Sequence, residues 1–352
     1  MEFRYAQNGR GVVSPSSPLR EPAVPRIRDE FLDCVLYLYP SYKDADEGTG
    51  IGGTGFIMVH PTEGLKQNFF FPYIVTNKHV IEDGNTVLRM TTKEGKKHII
   101  ETTERDWTFH PSGDDLAIHL ISLDPGKIRL SHIQSKDCMS KHDCMRLGVG
   151  IGDDIFVVGR FINHEGRQKN SPTARFGNIA QMPNEPVIIK MFEQECFLAE
   201  ARSIGGYSGS PVFWHVLPFA GGAYRPKTNV QLGPLLLGVE LGYIYDWTPV
   251  CGPDGEPINR AKPEAMQVQV NSGMMIVVPA WKLTELLHED SIVAKRKEIE
   301  GQVKAHEEKT KPRGGVALSS RRGHPSIDAN PTHREDFNSL VNEAARKRAQ
   351  ED

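Results

Sequence analysis

The chain has 352 residues, 38% of them hydrophobic and 25% charged, a balance that supports one large core or two modest ones and excludes disorder throughout. Its 42 basic and 45 acidic side chains leave a formal net charge of −3, which gives no electrostatic footprint for nucleic acid or an anionic membrane. No apolar run approaches the length of a membrane-spanning helix.

In chain order, residues 1–28 are rich in Pro, Ser and Arg and show no period, which predicts a flexible leader. They lack the basic start, apolar run and small-residue cleavage site of a secretory signal. The five cysteines, Cys34, Cys138, Cys144, Cys196 and Cys251, are odd in number and widely spread, as reduced thiols would be. Together these features predict a cytoplasmic protein.

From Phe31 the texture changes to short runs of Val, Ile, Phe and Tyr between Gly, Pro, Asp and Asn clusters. CVLYLYP, GTGFIMV, FFFPYIVT, TVLRMTT, KKHIIETT and DLAIHLISL read as six strands of a first unit over 29–135. A second unit over 136–290 holds DIFVVGRF, TARFGNIAQM, PVIIKMF, CFLAEAR, SPVFWHV, PLLLGVELG and GMMIVVP, closed by the amphipathic segment AWKLTELL. Two groups of strands without intervening helices predict an all-β protein, as two barrels or a pair of sandwiches. Residues 291–352 are dominated by charge and turn formers and predict a largely disordered tail; its last part places Phe337, Leu340, Val341 and Ala344 on one possible helix face, a docking element for the body or a partner.

Three short segments carry chemistry. In GGYSGSP, Ser208 is flanked by glycines that allow a tight turn, so that a hydroxyl is exposed while backbone N–H groups converge on a developing oxyanion. In IVTNKHVI, His79 ends a strand, and imidazole is the side chain best suited to take a proton from a serine near neutral pH and return it to a leaving amine. In GDDLAIHL an acidic pair opens an apolar strand, and a buried carboxylate there would fix the imidazole tautomer. Each segment alone has a plain structural reading, as a turn, a core histidine or a strand start. Together they occur in the order His, Asp, Ser across two strand groups, as a cleft between domains requires.

On these residues the chain resembles the chymotrypsin-like or trypsin-like serine peptidases over roughly residues 31–288. The matching features are Gly53-Thr54-Gly55-Phe56, Val75 to Val80, Asp115-Leu116-Ala117-Ile118, Gly206 to Pro211, and Leu237-Gly238-Val239. The resemblance implies two six-stranded antiparallel barrels, with a short C-terminal helix and a charged tail. It also implies Ser208 as nucleophile, His79 as proton shuttle, Asp115 as its orienting carboxylate, and the Gly206 and Ser208 amides as oxyanion hole. Asp115 is chosen over Asp114 because the family's aspartate directly precedes the Leu-Ala pair, and strand neighbours face opposite sides.

Val80 stands where secreted relatives carry a disulfide cysteine, which places the resemblance in the disulfide-free, largely bacterial branch. Tyr207 replaces the aspartate that binds a freshly cut N-terminus, which argues against activation by a propeptide cut. Arg202, six residues before Ser208, would sit at the base of the substrate pocket and favour an acidic side chain, and Gly242 would contact the bound peptide.

The expected activity is a serine endopeptidase acting on protein or peptide through an acyl-enzyme, with no cofactor and no metal. Cys138, His142 and Cys144 lack a paired knuckle and a second ligand group. A latent or inactive peptidase-fold binding module, awaiting a protein partner through the C-terminal tail, is the alternative. An esterase of the α/β-hydrolase type would require strand-helix alternation that the chain lacks.

Overall fold

The computed structural model describes residues 27–50, 52–65, 69–124, 126–129, 131–162, 164, 166–189, 192–201, 203–215, 234–262 and 266–310. The leader up to residue 26, Arg202 and the tail from 311, with its possible terminal helix, lie outside the described residues.

After a short helix α1 (Asp29–Asp33), the first unit contains β1 (Val35–Tyr39), α2 (Tyr42–Glu47), β2 (Thr54–Pro61), β3 (Phe70–Thr76), α3 (Lys78–Glu82), β4 (Val87–Thr91) and β5 (Lys97–Glu101). The short β6 (Thr108–Phe109), β7 (Ala117–Leu120) and the two-residue β8 (Ile133–Gln134) complete it. All six anticipated strands form. They do not close into the expected barrel: the sheet runs β5-β4-β1-β2-β3-β7-β6 with β8 added parallel to β2, and its outermost strands β5 and β6 are not paired. Two-residue strands such as β6 offer too few ladder hydrogen bonds to close a sheet.

The second unit follows α4 (Lys141–Leu147), whose Ser140 and Asp143 form a reciprocal capping box. It comprises β9 (Asp154–Gly159), β10 (Thr173–Gln181), β11 (Val187–Ile189), β12 (Phe192–Gln194), β13 (Phe197–Glu200), β14 (Pro211–Trp214), β15 (Leu235–Pro249) and β16 (Gln267–Pro279). Six of these close a barrel in the order β10-β13-β16-β15-β14-β9, while β11 and β12 form a separate hairpin. Of the run PVIIKMF, expected as one strand, Val187 to Ile189 and Phe192 therefore belong to two paired strands outside the barrel. The segment AWKLTELL forms α5 (Ala280–Leu287) and buries Trp281, Leu283, Leu286 and Leu287.

The charged stretch after His288 departs from the expected tail. Residues Asp290–Thr310 form a helix, α6. Ile292, Ile299 and Val303 are buried on one face of it. Arg296, also buried, donates to the Leu287 carbonyl at 2.8 Å, and Glu300 accepts from the Glu63 and Gly64 amides at 2.9 and 3.0 Å. Three apolar residues at helical spacing suffice once these polar groups are satisfied by the body. No helix among the described residues is long and apolar enough to cross a membrane.

The two units share one apolar cluster. Tyr37, Phe56 and Val75 of the first pack with Phe156, Phe213 and Val278 of the second and with Leu283 and Ile299 of the helices. Buried Arg160 crosses the boundary: its guanidinium donates to the Leu38 and Gly50 carbonyls and stands 4.1 Å from the Tyr39 ring centroid. Such a boundary holds the edges of the two units in fixed register.

Candidate active site

His79 sits on α3, the one-turn helix that follows β3. Its position is set twice by one carboxylate: the His79 amide donates to Asp115 Oδ1 at 2.9 Å, and its Nδ1 lies 2.6 Å from Oδ2. Asn77 Nδ2 donates to the Asp115 carbonyl at 2.8 Å, and the Asp115 amide donates to Gln194 Oε1 at 3.2 Å. Burial alone would push the His79 imidazole down. The Asp115 hydrogen bond and charge, with help from Asp83 and Glu240, outweigh it, so the ring stands above the ordinary imidazole range.

Asp114 faces away from His79. It accepts from Gln194 Nε2 at 2.7 Å and lies 3.3 Å from Lys282 Nζ and 3.1 Å from His110 Nδ1. Lys282 on α5 also reaches Glu195 and Glu285, each at 3.5 Å. Gln194 thus joins the backbone of Asp115 to an ionic network that ties α5 to the turn before β7.

Ser208 lies on the turn that leads into β14. Its Oγ donates to the Leu241 carbonyl at 3.2 Å, and its own carbonyl accepts from the Thr54 amide at 2.8 Å. Thr54 is the link between the units. Its Oγ1 donates to the Gly206 carbonyl at 2.6 Å, and its carbonyl accepts from Thr76 Oγ1, three residues before His79, at 2.7 Å. Gly209 has φ +89°, and a Cβ there would meet the Thr54 carbonyl oxygen at 2.0 Å. Gly53 is equally constrained, since a Cβ would lie 2.6 Å from Val80 and 3.1 Å from the Ser208 carbonyl. Both glycines let two turns approach more closely than any side chain permits.

The Gly206 peptide is left-handed, with φ +93°. The Tyr207, Gly209 and Ser210 amides donate to the Ile204, Glu240 and Tyr207 carbonyls; among the described residues the Gly206 and Ser208 amides make no such bond. Tyr207 is fully buried, and its hydroxyl meets Thr173, so it anchors the turn in the barrel wall.

No family model matches the chain, and no curated protein matches it. Among solved structures it is similar to the protease domain of MamO from Magnetospirillum magneticum, apo form, at 16% identity over 74% of this chain and 98% of that one, with a TM-score of 0.42. It is also similar to the Rv3671c protease, inactive form, at 14% identity over 73% of this chain and 88% of that one, with a TM-score of 0.39. Likenesses this distant say nothing of the chemistry.

The structure adds a residue that the sequence analysis does not single out. Glu240, on β15, is fully buried. Its amide and carbonyl bracket the serine turn, donating to the Ser210 carbonyl at 2.9 Å and accepting from the Gly209 amide at 2.8 Å. Ser203 Oγ donates to its Oε1, while among the described residues Oε2 has no hydrogen-bond partner. The available sequence signal is one acid inside the apolar run PLLLGVELGY.

Burial raises the Glu240 carboxyl from 4.5 to about 7, against the downward pull of Ser203 and His79 and with Asp115 adding to the rise. The folded state therefore binds a proton that the unfolded chain has already released. Stability falls as pH rises from about 4.5 to about 7, by roughly 3 kcal/mol from this group. Glu240→Gln should flatten that part of the stability curve, as measured by urea denaturation across the window; an unchanged slope would contradict the assignment.

Gly242 follows a register shift in β15 and has open space where a Cβ would point. Cys138 and Cys144 are buried, and burial pushes their thiols up to about 12 and about 11. Among the described residues one group of potential ligands does gather, His110, Asp114 and Glu285. The Lys282 ammonium already stands 3.3 Å and 3.5 Å from its two carboxylates.

Proposed function

We propose that this chain is a serine endopeptidase that forms an acyl-enzyme on Ser208. The observation that carries the reading is the His79–Asp115 pair, with Nδ1 at 2.6 Å from Oδ2 and a second bond from the His79 amide to the same carboxylate. An imidazole held in this way has its Nδ1 proton committed to Asp115, which leaves Nε2 as the base. Thr54 and Thr76 tie the histidine strand to the serine turn through hydrogen bonds of 2.6 to 2.8 Å.

In the proposed cycle the Ser208 hydroxyl turns from the Leu241 carbonyl toward His79 Nε2, gives up its proton and attacks the substrate carbonyl. The Gly206 and Ser208 amides receive the oxyanion, each donor being worth about 3 kcal/mol of transition-state stabilisation. His79 then protonates the leaving amine, and water completes the second half by the same route in reverse.

A second reading is favoured by one observation. The Ser208 hydroxyl is engaged by Leu241, as it would be in a latent peptidase-fold module awaiting a partner. Covalent capture by an electrophilic phosphonate separates the two, since only a serine within reach of a working base is phosphonylated. Labelling at Ser208 supports the peptidase, and failure to label supports the latent module.

A further inference from the structure

The turn that carries Asp115 also carries an imidazole that the proposed chemistry does not use. The His110 amide donates to the Leu116 carbonyl and the Gly113 amide to the His110 carbonyl, each at 3.1 Å, which folds His110 and Asp114 against each other. The His110 side chain is only 2% exposed, yet among the described residues neither ring nitrogen has a hydrogen-bond partner. Nδ1 stands 3.1 Å from Asp114 Oδ2 without the direction of a hydrogen bond, and Nε2 is 3.8 Å from Glu285 Oε2, too far for one. Buried polar atoms are nearly always bonded, so two bare nitrogens on one buried ring call for a further partner.

The surroundings supply the rest of a donor set. One ligand atom from each of His110, Asp114 and Glu285 lies within 4.8 Å of the other two. Ligand atoms on a tetrahedral zinc ion, with bonds of about 2.0 to 2.1 Å, stand about 3.3 Å apart. The pair His110 and Asp114 already has that spacing. Glu285, on α5 and with its side chain 52% exposed, closes the remaining gap by a change of rotamer. Asp114 is oriented from behind, since its Oδ1 accepts from Gln194 Nε2 at 2.7 Å and Oδ2 is left turned toward His110.

The competing cation is weakly seated. Lys282 Nζ stands 3.3 Å from Asp114 Oδ2 and 3.5 Å from both Glu285 Oε2 and Glu195 Oε2. Each distance exceeds the about 2.7 to 2.9 Å of a charge-assisted hydrogen bond. An ammonium also has donors only, so it cannot bridge the carboxylates to His110 in the way a metal can. Glu195, fixed by Lys141 Nζ at 2.8 Å and Trp281 Nε1 at 3.2 Å, stands ready to keep Lys282 once it is displaced.

We propose that His110, Asp114 and Glu285 form a zinc site, completed by water, in which the metal takes the place of the Lys282 ammonium and fastens α5 to the aspartate turn. An imidazole beside two carboxylates selects Zn²⁺ over Mg²⁺ or Ca²⁺, which take oxygen ligands. The inference rests on this donor set and not on the peptidase reading, because neither His79 nor Ser208 belongs to it.

The test uses the full chain, stripped with a chelator and titrated with Zn²⁺ against a chromogenic competitor. The parent should bind one equivalent. His110→Gln and Glu285→Gln should each weaken that binding about tenfold or more, while Lys282→Met, which removes the competing ammonium, should tighten it several-fold. Saturating Zn²⁺ should raise the melting temperature of the parent and of Lys282→Met, and leave that of Glu285→Gln where it was. Saturating Mg²⁺ should move none of them. Glu285 is exposed enough for its variant to fold, so the comparison stands even where His110→Gln fails to.

A parent that takes up no zinc overturns the inference. Equal affinity in the parent and Glu285→Gln does so too, by placing the metal on histidines elsewhere. Weaker binding in Lys282→Met is the third contrary result, since it would make Lys282 a support of the site rather than its competitor.

Discussion

Replacing Ser208 with alanine lowers turnover of a peptide amide by about 10⁴-fold or more while the chain stays folded. The substitution removes one hydrogen bond, from Oγ to the Leu241 carbonyl. The contacts that shape the turn are made by backbone: the Ser208 carbonyl with the Thr54 amide, and the Gly209 amide with the Glu240 carbonyl. Steady-state kinetics beside a thermal melt separates loss of chemistry from loss of structure. A variant that keeps its full rate would assign the chemistry to another group.

Asp115→Asn is expected to cost about 10⁴-fold in turnover by a different route. An asparagine keeps one acceptor for the His79 amide, but its NH₂ would face Nδ1, where a carboxylate oxygen now stands at 2.6 Å. The ring would then carry its proton on Nε2 and could no longer act as base. Because Asp115 is the main group that raises His79, its loss should also move the residual acid limb of the pH–rate profile to lower pH. Asp114→Asn is the control, since that carboxylate serves Lys282, Gln194 and His110 rather than His79. Its turnover should stay within a few fold of the parent. Equal losses in the two variants would contradict the division of labour between these neighbours.

The strands were legible in the sequence because each is a short apolar run between turn formers, and the runs of the first unit and of the barrel appear where that pattern places them. His79, Asp115 and Ser208 stood out because residue type and chain order pointed to a single chemistry. What lay hidden depends on partners distant in sequence. Closure of the first sheet is decided by whether β5 finds β6, which no local pattern reports. The helix α6 reads as a charged tail because its three buried apolar residues are outnumbered, and its Arg296 and Glu300 become buriable only against Leu287, Glu63 and Gly64. Glu240 is one acid in an apolar strand, and its meaning comes from the serine turn it supports. The paired extension of β15 and β16, Tyr245 to Pro249 with Asn271 to Gln267, lies outside the expected strands, since the apolar runs PLLLGVELG and GMMIVVP end at Gly242 and begin at Gly273.

The account depends on His79 drawing a proton from Ser208, and the most direct measurement is reaction of the native chain with a fluorophosphonate, with the modified residue located by mass spectrometry. Stoichiometric phosphonylation of Ser208, lost on heat denaturation and in a His79→Ala variant, is the predicted result. A native chain that stays unlabelled at pH values where His79 is neutral, or a label found on another residue, would contradict it.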